Sequence, residues 1–315
     1  MRNVLVTGGL GFIGSNLADV LQARGNNVTV VDNLSSSRTD CNNWIKSRPD
    51  ITVIKSCFSD DNVLARIRSG EFDTVFHVAA IPRVSYSVEN PFETTDNNVN
   101  RTVKLIEACV GNINRFIFSS SSSVYGGADV LPTPVTYPKD PKSPYAWQKS
   151  CIEDFISVTC SLHPAFDSIS LRYFNVFGPG QFGDSAYATA VSAWCHAINE
   201  GLPLRSDGTG EQSRDMCYID NVVDANIKAM NSDNKFSGER INVACDDRVS
   251  NNEILNFLRD RFPGLTVNHA PTRPGDVMHT RADISASKSL IGYEPLVEFW
   301  DGLEMTLNWW GLTDG

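Results

Sequence analysis

Short runs rich in Val, Ile and Phe alternate with helical patterns through the first half of the chain. These runs predict strands at 3–8, 27–33, 51–58, 72–80, 115–121 and 168–178. The helical patterns lie between them, in a stretch that ends at Gly25 and near 60–69, 95–110 and 144–161. Apolar strands separated by helices predict a parallel sheet covered on both faces. Because crossovers between parallel strands are right-handed, we predict an α/β fold with a doubly wound parallel sheet.

The pattern changes after about residue 178, where polar and glycine-rich segments separate shorter elements. After a loop from Gly178 we predict a helix over 186–201, a polar turn over 205–215, a helix over 218–230, a strand at 241–245 and helices near 250–262, 284–291 and 299–310. The sequence therefore predicts a domain of residues 1–178, to which 219–245 return. It also predicts a smaller second α/β lobe made of 179–218 and 246–315.

Charge and composition argue against several classes of partner. The 315 residues carry a formal net charge of −10, which disfavours nucleic acid and anionic membranes. No apolar run approaches the roughly 20 residues of a membrane span, and the strand-like start leaves no room for a signal peptide. The eight cysteines form no CxxC pair, and the five histidines add no metal-ligand spacing. We predict a cytoplasmic protein without a metal.

A glycine-rich turn follows the first predicted strand. TGGLGFIG spans residues 7–14 and places Gly8, Gly11 and Gly14 three apart, directly before a helical pattern. Glycines at these positions let the backbone approach a pyrophosphate, and the helix N-terminus offers it free N–H groups. The second strand ends in Asp32, at the distance expected for a carboxylate that binds a ribose 2′-hydroxyl. Since this carboxylate repels a 2′-phosphate, we predict NAD rather than NADP.

A tyrosine and a lysine stand four residues apart at the start of another predicted helix. In SPYAWQK, Ser143 can cap the helix and Pro144 fits its first position, so Tyr145 and Lys149 share one face. The ammonium would stabilise a phenolate, which otherwise forms only near pH ~10. An ordinary amphipathic helix would explain the spacing equally well, so the pair acquires a meaning only from the motifs around it.

Taken in chain order, these motifs belong to a longer succession. It continues with HVAA at 77–80, NNVN at 97–100, FSSSSSVYG at 118–126, LRYFNVFGPGQ at 171–181, SRDMCYIDNVV at 213–223 and RPGDV at 273–277. The succession covers nearly the whole chain and resembles the extended short-chain dehydrogenase/reductase family, most closely its nucleotide-sugar 4-epimerases. The resemblance implies a Rossmann fold, bound NAD, a UDP-sugar substrate held by the second lobe, and a homodimer.

The resemblance also implies roles for individual residues. Tyr145 would be the acid/base of the reaction, and Lys149 would support it and hold the nicotinamide ribose. Ser121 would be the assisting serine, because it lies four positions before the tyrosine of the VYG turn; Ser122 and Ser123 remain alternatives. The implied cofactor contacts are Gly8, Gly11, Phe12, Ile13, Gly14, Asp32, Asn33, Cys57, Phe58, Val78, Ala79, Ala80, Asn98, Tyr145 and Lys149. Cys57 departs from the family, which commonly has an Asp there.

The implied substrate contacts come from several parts of the chain. Arg214 and Arg273 resemble the arginines that bind the diphosphate, and guanidinium groups suit phosphate oxygens. Asn175 resembles a residue that contacts the substrate, and Asp276 a ligand or support of the uridine ribose. Arg83 either meets the diphosphate or is a solvated loop charge. The full set is Arg83, Ser121, Ser122, Tyr145, Asn175, Arg214, Arg273, Asp276 and Thr280. Gly180 departs from the family, which often has an Arg there, and we expect a looser loop.

The serine run indicates which reaction follows oxidation of the sugar at C4. Relatives that dehydrate or decarboxylate the sugar commonly carry Asp or Glu in this stretch, and here the positions are serines. We therefore predict epimerisation through a transient 4-keto sugar.

Thr280 stands where epimerases restricted to glucose and galactose resemble one another in having a bulky tyrosine. A small residue there leaves room for a 2-acetamido group, so we predict UDP-N-acetylglucosamine to UDP-N-acetylgalactosamine, with the plain hexoses as further substrates.

Two other readings remain open. One is a 4-epimerase of another UDP-sugar such as UDP-glucuronate, for which Arg281 is the suggestive cation. The other is a dinucleotide-sensing protein without catalysis, although such proteins often lose the Tyr or the Lys. The homodimer would form through the helices at 95–110 and 144–161, but core packing explains their apolar residues equally well.

Overall fold

The computed structural model describes residues 1–82, 84–181, 183, 189–272 and 277–312. Three predicted substrate residues, Arg83, Arg273 and Asp276, lie outside the described residues. In the described part of the chain, no helix is both long enough and apolar enough to cross a membrane.

The described strands include a parallel sheet of seven. Its first six strands are β1 (Asn3–Thr7), β2 (Asn27–Asp32), β3 (Thr52–Lys55), β4 (Thr74–His77), β5 (Arg115–Ser121) and β6 (Ser168–Tyr173). Six shorter strands and the seventh sheet strand follow: β7 (Val176–Phe177), β8 (Leu204–Asp207), β9 (Ser213–Arg214), β10 (Cys217–Tyr218), β11 (Ser237–Val243), β12 (Val249–Ser250) and β13 (Val267–Ala270). The spatial order is β11-β6-β5-β4-β1-β2-β3. The predicted doubly wound α/β fold is confirmed.

Helices cover both faces of this sheet. Before β6 they are α1 (Phe12–Ala23), α2 (Cys41–Lys46), α3 (Asp61–Arg68), α4 (Val84–Glu89), α5 (Pro91–Thr95), a π-helical turn (Asp96–Asn100), α6 (Arg101–Cys109), a 3₁₀ turn (Ser122–Tyr125) and α7 (Pro144–Leu162). Later in the chain they are α8 (Ala190–Asn199), α9 (Ile219–Asn231), α10 (Asn251–Arg261), α11 (Ser285–Ile291) and α12 (Phe299–Trp309).

Alternation along the sheet strands separates two apolar cores. Val4 and Val6 of β1 pack into the core that contains Leu17 of α1, whereas Leu5 packs into the core that contains Ile106 of α6 and Ile152 of α7. Because both faces are covered, β1, β2, β4, β5 and β6 are buried at nearly every position, and their Val, Ile, Leu and Phe residues are what made these strands readable in the sequence.

The second half is more broken than its sequence pattern predicts. The single strand expected at 168–178 is wrong: β6 ends at Tyr173, and β7 leaves the sheet to pair with β10. The polar turn expected at 205–215 contains β8 and β9, which pair with β13 and β12. The strand expected at 241–245 corresponds to β11, which joins the large sheet beside β6.

The strand order also fixes where a ligand can bind. β1 lies between β2 and β4, so the crossovers on its two sides run in opposite directions. In open α/β sheets, the crevice at the carboxyl ends of such strands is the usual binding site. The glycine-rich turn follows β1, Asp32 ends β2, and the serine run ends β5, so these motifs meet at this edge.

Candidate active site

A cavity of about 350 Å³ opens at the carboxyl edge of the sheet. Every predicted cofactor residue lines it except Cys57 and Asn98. Sequence reasoning missed other parts of its wall, among them Ser35, Ser36, Asn97, Tyr173 and Gln181. Asn97, Tyr173 and Gln181 lie inside quoted motifs, and Ser35 and Ser36 lie within three residues of Asn33, which was the available signal. Within the described part of the chain, no group of three or more His, Cys, Asp and Glu side chains could hold a metal ion.

The glycine-rich turn fits a dinucleotide by its shape. A Cβ at Gly14 would overlap the carbonyl oxygen of Gly8, so only glycine lets α1 pack this closely on the turn. Gly8 has φ +67°, and a Cβ added there would lie 2.8 Å from the backbone of Ala79. Gly11 precedes α1 and supplies no side-chain cap. The first N–H groups of α1 therefore remain available to an anion at the cavity wall.

Asp32 offers a carboxylate to the same cavity. Its two oxygens accept hydrogen bonds from the backbone N–H groups of Leu10 (3.0 Å) and Leu34 (2.8 Å), which fix the side chain at the end of β2. Burial raises the pKa of this carboxyl, and the two backbone hydrogen bonds oppose that shift. Each carboxylate oxygen can accept a further bond, so Asp32 fits a ribose hydroxyl.

Two predicted cofactor residues lie away from the cavity. Cys57 Sγ accepts a hydrogen bond from Arg101 Nη1 at 3.4 Å. The amide of Asn98 binds both the N–H and the carbonyl of Ile81, at 2.8 and 3.1 Å, and also donates to Gln148 Oε1 at 2.8 Å. Asn98 therefore ties the loop after β4 to α7 from behind the cavity wall.

The serine run separates into side chains with different partners. Ser119 Oγ pairs with the hydroxyl of Tyr173 at 3.0 Å, and Ser120 Oγ donates to Glu153 Oε1 at 2.6 Å. Both hydroxyls are thus committed to neighbouring elements, although both residues line the cavity.

Ser121 differs because its hydroxyl meets a titratable group. It lies near enough to the Tyr145 side chain to lower the pKa of that phenol, and it accepts the N–H of Ser123 at 3.2 Å. Ser122 is partly buried in the 3₁₀ turn. Ser123 Oγ is buried, with no hydrogen-bond partner among the described residues. Of the three candidate serines, the structure brings Ser121 to the tyrosine.

Tyr145 and Lys149 lie together in the first turns of α7. Ser143 Oγ accepts the N–H of Ala146 at 3.2 Å, and Pro144 is the first helical residue, as the sequence pattern indicates. Lys149 Nζ lies 5.9 Å from the centroid of the Tyr145 ring and donates to the carbonyl of Ser119 at 2.7 Å. The helix start thus holds the phenol and the amine at one end of the cavity.

Burial dominates the protonation of both groups. It raises the pKa of Tyr145 to about 12, against the hydrogen bond from Ser121. It lowers the pKa of Lys149 to about 7, against the attraction of Glu153. The sequence predicts a lowered pKa for Tyr145, and in this structure the pKa is raised instead, because the side chain is buried and its charged form loses its hydration.

Three of the predicted substrate residues, Asn175, Arg214 and Thr280, do not line the cavity and lie close to one another. Asn175 Nδ2 donates to the carbonyl of Asp215 at 3.0 Å and approaches Thr280 Oγ1 at 3.4 Å. Thr280 Oγ1 also accepts the N–H of Asp215 at 3.1 Å. Arg214 Nη1 donates to the carbonyls of Ser213 (3.0 Å) and Met278 (3.2 Å). The backbone of Asp215, next to Arg214, therefore joins Asn175 and Thr280, which are far apart in sequence.

The loop that contains Gly180 is held against α1. Gly180 has φ +90°, and a Cβ there would lie 2.9 Å from Arg38 Nη1. Arg38 is fixed by Asp40 at 2.7 Å, and Asn16 Nδ2 donates to the carbonyl of Pro179 at 3.0 Å. The absence of an arginine at position 180 therefore leaves a space that Arg38 occupies, and the loop has anchors of its own.

The glycine turn, the carboxylate of Asp32 and the open helix N-terminus are features of a dinucleotide-binding α/β protein, and the same cleft is lined by the phenol of Tyr145 and the amine of Lys149. The chain belongs to the NAD dependent epimerase/dehydratase family, whose model matches residues 4–244. The family, the enzyme class and the cofactor that we predict from the sequence are thereby confirmed.

Three relatives indicate the range of that family around this chain. A UDP-N-acetylglucosamine 4-epimerase from Methanobrevibacter ruminantium, solved with UDP-N-acetylmuramic acid, is 37% identical, with a TM-score of 0.90 over 98% of this chain and 97% of that one. A UDP-glucuronic acid 4-epimerase from Bacillus cereus, solved with UDP-glucuronic acid and NAD, is 30% identical, with a TM-score of 0.89 over 98% and 99%. A UDP-glucose 4-epimerase from Mycolicibacterium smegmatis is 31% identical over 96% of this chain and 97% of its own.

Proposed function

We propose that this protein is an NAD-dependent isomerase that inverts C4 of a UDP-sugar, with UDP-N-acetylglucosamine and UDP-N-acetylgalactosamine as the main pair. One observation carries the proposal: Tyr145 and Lys149, with Lys149 Nζ 5.9 Å from the centroid of the phenol ring, line the same cleft as the glycine-rich turn and Asp32, a cleft that fits NAD. The relatives support 4-epimerisation of a nucleotide sugar, and the 37% identical relative supports the N-acetylated sugar.

The cofactor would be held by the glycine-rich turn, the N-terminus of α1 and Asp32. When bound, NAD supplies the acceptor for a hydride from C4 and the donor that later returns it. Lys149, whose Nζ is anchored on the carbonyl of Ser119, stands at the same end of the cavity as Tyr145 and is the group that would hold the nicotinamide ribose.

Tyr145 takes the proton from the C4 hydroxyl and gives it back when the 4-keto sugar is reduced on its other face. Because burial raises the pKa of Tyr145 to about 12, the phenolate forms only with positive charge beside it. Lys149 supplies that charge as an ammonium, and the Ser121 hydroxyl hydrogen-bonds the reacting oxygens. The phenol therefore acts as base and then as acid without leaving its place on α7.

The residues of the 3₁₀ turn support epimerisation over elimination. Removal of water from the sugar needs an acid and a base next to C5 and C6, and the turn Ser122–Tyr125 consists of Ser-Ser-Val-Tyr. Of the residues that the structure describes, no lysine lies beside the serine hydroxyls of this turn to activate them as Lys149 activates Tyr145, so they are a poor acid and base near neutral pH.

Thr280 supports the N-acetylated sugar. Its side chain is short, and its hydroxyl is fixed by Asp215 and Asn175, so its methyl group is the bulk that it can offer to a ligand. We infer that the space a tyrosine would fill there accommodates the 2-acetamido group. The plain hexoses, which are smaller, would fit the same space.

The reading as a UDP-glucuronate epimerase loses its suggestive cation. Arg281 Nε donates to the carbonyl and to the carboxylate of Asp246, at 3.0 and 3.1 Å, so its guanidinium already has a carboxylate partner. The reading as a silent dinucleotide sensor does not explain why Tyr145 and Lys149 lie together at the cavity wall.

We assign residues 179–218 and 246–315 to binding of the nucleotide half, with Arg214 as a ligand of the diphosphate. Arg273 and Asp276 share this assignment as predictions from the sequence, and Arg83 and Ser122 keep their predicted contacts on the same basis. Guanidinium groups suit this role because their paired N–H donors match phosphate oxygens.

A stripe of apolar side chains on α7 supports the homodimer. Trp147, Cys151, Phe155, Val158 and Leu162 recur at helical spacing on one face, and Trp147 (49%), Val158 (56%) and Leu162 (70%) are strongly exposed. We propose that a second copy covers this stripe. Leu162→Glu should then halve the mass measured by light scattering, whereas Leu202→Glu, at another exposed leucine, should leave it unchanged; a monomeric native protein would contradict the dimer.

One incubation tests the reaction and the sugar. The purified protein with NAD is given UDP-N-acetylglucosamine, UDP-glucose or UDP-glucuronate separately, and proton NMR follows the signal of the C4 epimer. We expect the N-acetylated sugar to be converted fastest. Conversion of UDP-glucuronate alone would move the assignment to that sugar, and absence of any epimer would remove the proposed function.

A further inference from the structure

A buried carboxylate lies one helical turn beyond Lys149. Glu153 is fully buried on α7, and no part of the proposed chemistry uses it. Resting on the proposed function, we propose that Glu153 is a positioning residue: it keeps Lys149 in its charged form and fixes the end of β5 against the helix that carries Tyr145.

The contacts of Glu153 reach the site from one side. Its Oε1 accepts the hydroxyl of Ser120 at 2.6 Å, and Ser120 lines the cavity. The neighbouring residue, Ser119, gives its carbonyl to Lys149 Nζ at 2.7 Å. The Glu153 carboxylate and the Lys149 ammonium therefore hydrogen-bond consecutive residues of β5. A shift of Glu153 would move the Ser119 carbonyl that binds Lys149.

An arginine extends these contacts to the serine turn, the 3₁₀ turn Ser122–Tyr125. Arg172 on β6 forms a two-pronged pair with Glu153, Nε at 2.8 Å and Nη2 at 2.7 Å, and both side chains are almost wholly buried. The guanidinium lies 4.8 Å from the ring centroid of Tyr125, which is the last residue of that turn; Ser121 is its N-cap. Glu153 thus links α7, β5, β6 and the serine turn.

The charge of Glu153 acts on Lys149 directly. The two residues are four apart on one helix, so their side chains are neighbours. Burial lowers the pKa of Lys149 to about 7, and the Glu153 carboxylate raises it. Around the amine lie the Tyr145 phenol on α7, the Phe118 ring and the Ser119 carbonyl on β5, and His77 on β4. Burial and Lys149 lower the pKa of His77, so this imidazole is neutral.

The remaining charges lie on the far side of Glu153. Arg240 Nε is 3.4 Å and Lys139 Nζ 3.9 Å from its carboxylate, and both cations also pair with the exposed Asp154. Among the described groups that surround Lys149, Glu153 is the carboxylate that opposes its desolvation. Removal of this charge would leave the ammonium with less support at neutral pH.

A purely structural role is the competing explanation, because a buried carboxylate that pairs with Arg172 also stabilises the fold. Loss of one partner of a buried pair leaves the other charge uncompensated, whereas replacement of both by uncharged residues is often tolerated. Three variants separate the two explanations: Glu153→Gln, Arg172→Met, and the double variant Glu153→Gln/Arg172→Met.

The readout is the titration of Lys149 itself, with NAD bound. The protein is labelled with carbon-13 at the Cε of lysine, and the signal of Lys149 is assigned by its loss in Lys149→Met. We expect Glu153→Gln and the double variant to lower the pKa of Lys149 by about 1 unit or more, as removal of an adjacent opposite charge does. Arg172→Met, which keeps the carboxylate, should not lower it.

The double variant decides the question even where Glu153→Gln fails to fold. If the double variant folds and Lys149 titrates as in the native protein, Glu153 serves the fold alone and the proposal is wrong. In kinetics, the loss of kcat with rising pH should move to lower pH in the double variant, because Lys149 then loses its proton earlier.

The outcome is separable from that of the proposed function. If the native protein epimerises no UDP-sugar, the proposed chemistry fails, while the titration of Lys149 still reports whether Glu153 controls its charge. If the native protein epimerises a UDP-sugar and Lys149 titrates in the double variant as in the native protein, the proposed function is supported and the proposed role of Glu153 is wrong.

Discussion

The two sides of the cleft are built in different ways. The cofactor side is a turn and strand ends on a continuous sheet, where β1 has β2 and β4 as neighbours along its length. The proposed substrate side is assembled from strands of two residues, β7, β9 and β10, and from a segment near Thr280. Its positions are fixed by hydrogen bonds between segments that are far apart in sequence.

Asp215 shows how the substrate side is held. It is fully buried, and its carboxylate accepts the N–H groups of Cys245 (2.8 Å) and Ala282 (3.0 Å). Its backbone binds Asn175 and Thr280. One side chain thus joins three segments, where the cofactor side relies on a sheet. We expect NAD binding on the cofactor side to weaken only when an added side chain clashes with the backbone. On the substrate side, we expect a single polar substitution to weaken binding.

The largest effect should come at the point that both sides share. Tyr145→Phe removes the group that carries the proton, so kcat should fall by about 10³-fold. NAD binding and thermal stability should stay close to native, because the ring remains. Tyr137→Phe, which removes a phenol outside the cavity, is the control. An unchanged kcat would take Tyr145 out of the reaction.

On the cofactor side, Gly14→Ala should weaken NAD binding by about 100-fold, since the added methyl group overlaps the carbonyl oxygen of Gly8 and forces α1 off the turn. Gly25→Ala at the other end of α1 has open space around its Cβ and tests the backbone cost alone. Fluorescence titration with NADH measures both. Equal NADH affinities for the two variants would show that the glycine-rich turn can adjust to the added methyl group, which would contradict the prediction.

On the substrate side, Thr280→Tyr should reduce turnover of UDP-N-acetylglucosamine by about 20-fold and largely spare UDP-galactose, because the larger side chain fills the space for the acetamido group. Thr280→Val keeps the size and removes the hydroxyl, so it reports the hydrogen bonds separately. Equal losses for both sugars in Thr280→Tyr would end the argument for the N-acetylated substrate.

The smallest effect concerns Asp215 and has a pH signature. Asp215→Asn should raise KM for the UDP-sugar by about 5-fold, with kcat and NAD affinity nearly unchanged, because an amide cannot accept from both N–H groups. Asp247→Asn, an exposed neighbour, is the control. A fall in NAD affinity as large as the rise in KM would remove the distinction between the two sides.

Burial raises the pKa of Asp215 from 3.8 to about 7. The folded state then binds the proton more tightly than the unfolded state, so this group favours folding below pH 3.8 and its contribution declines as pH rises toward 7. Urea denaturation across this range should therefore show a shallower loss of stability in Asp215→Asn than in the native protein.

What the sequence could reveal follows the same division. The first sheet strands were readable because burial on both faces requires Val, Ile, Leu and Phe in short runs, and the glycine turn because its neighbours in sequence are its neighbours in space. The run 168–178 was read as one strand because Phe174, Val176 and Phe177 continue its apolar residues past Tyr173, although the chain leaves the sheet there.

Side-chain direction was less accessible. The motif around Asn98 marks the right region, yet its amide is taken up by Gln148, 50 positions later, and by Ile81. The two short strands within 205–215 have partners at 249–250 and 267–270, and nothing local in their polar sequence announces them. Glu153 gave no motif at all, because its importance lies in what β5 and β6 bring to it.

The packing of Arg38 against Gly180 has a consequence for protein engineering. A column-by-column comparison with relatives would score position 180 as a missing cation and invite its restoration. Here an arginine grafted at 180 would meet a backbone shaped for glycine and a guanidinium already in the way. The unit that can be transplanted between such enzymes is the pair of loops, exchanged together.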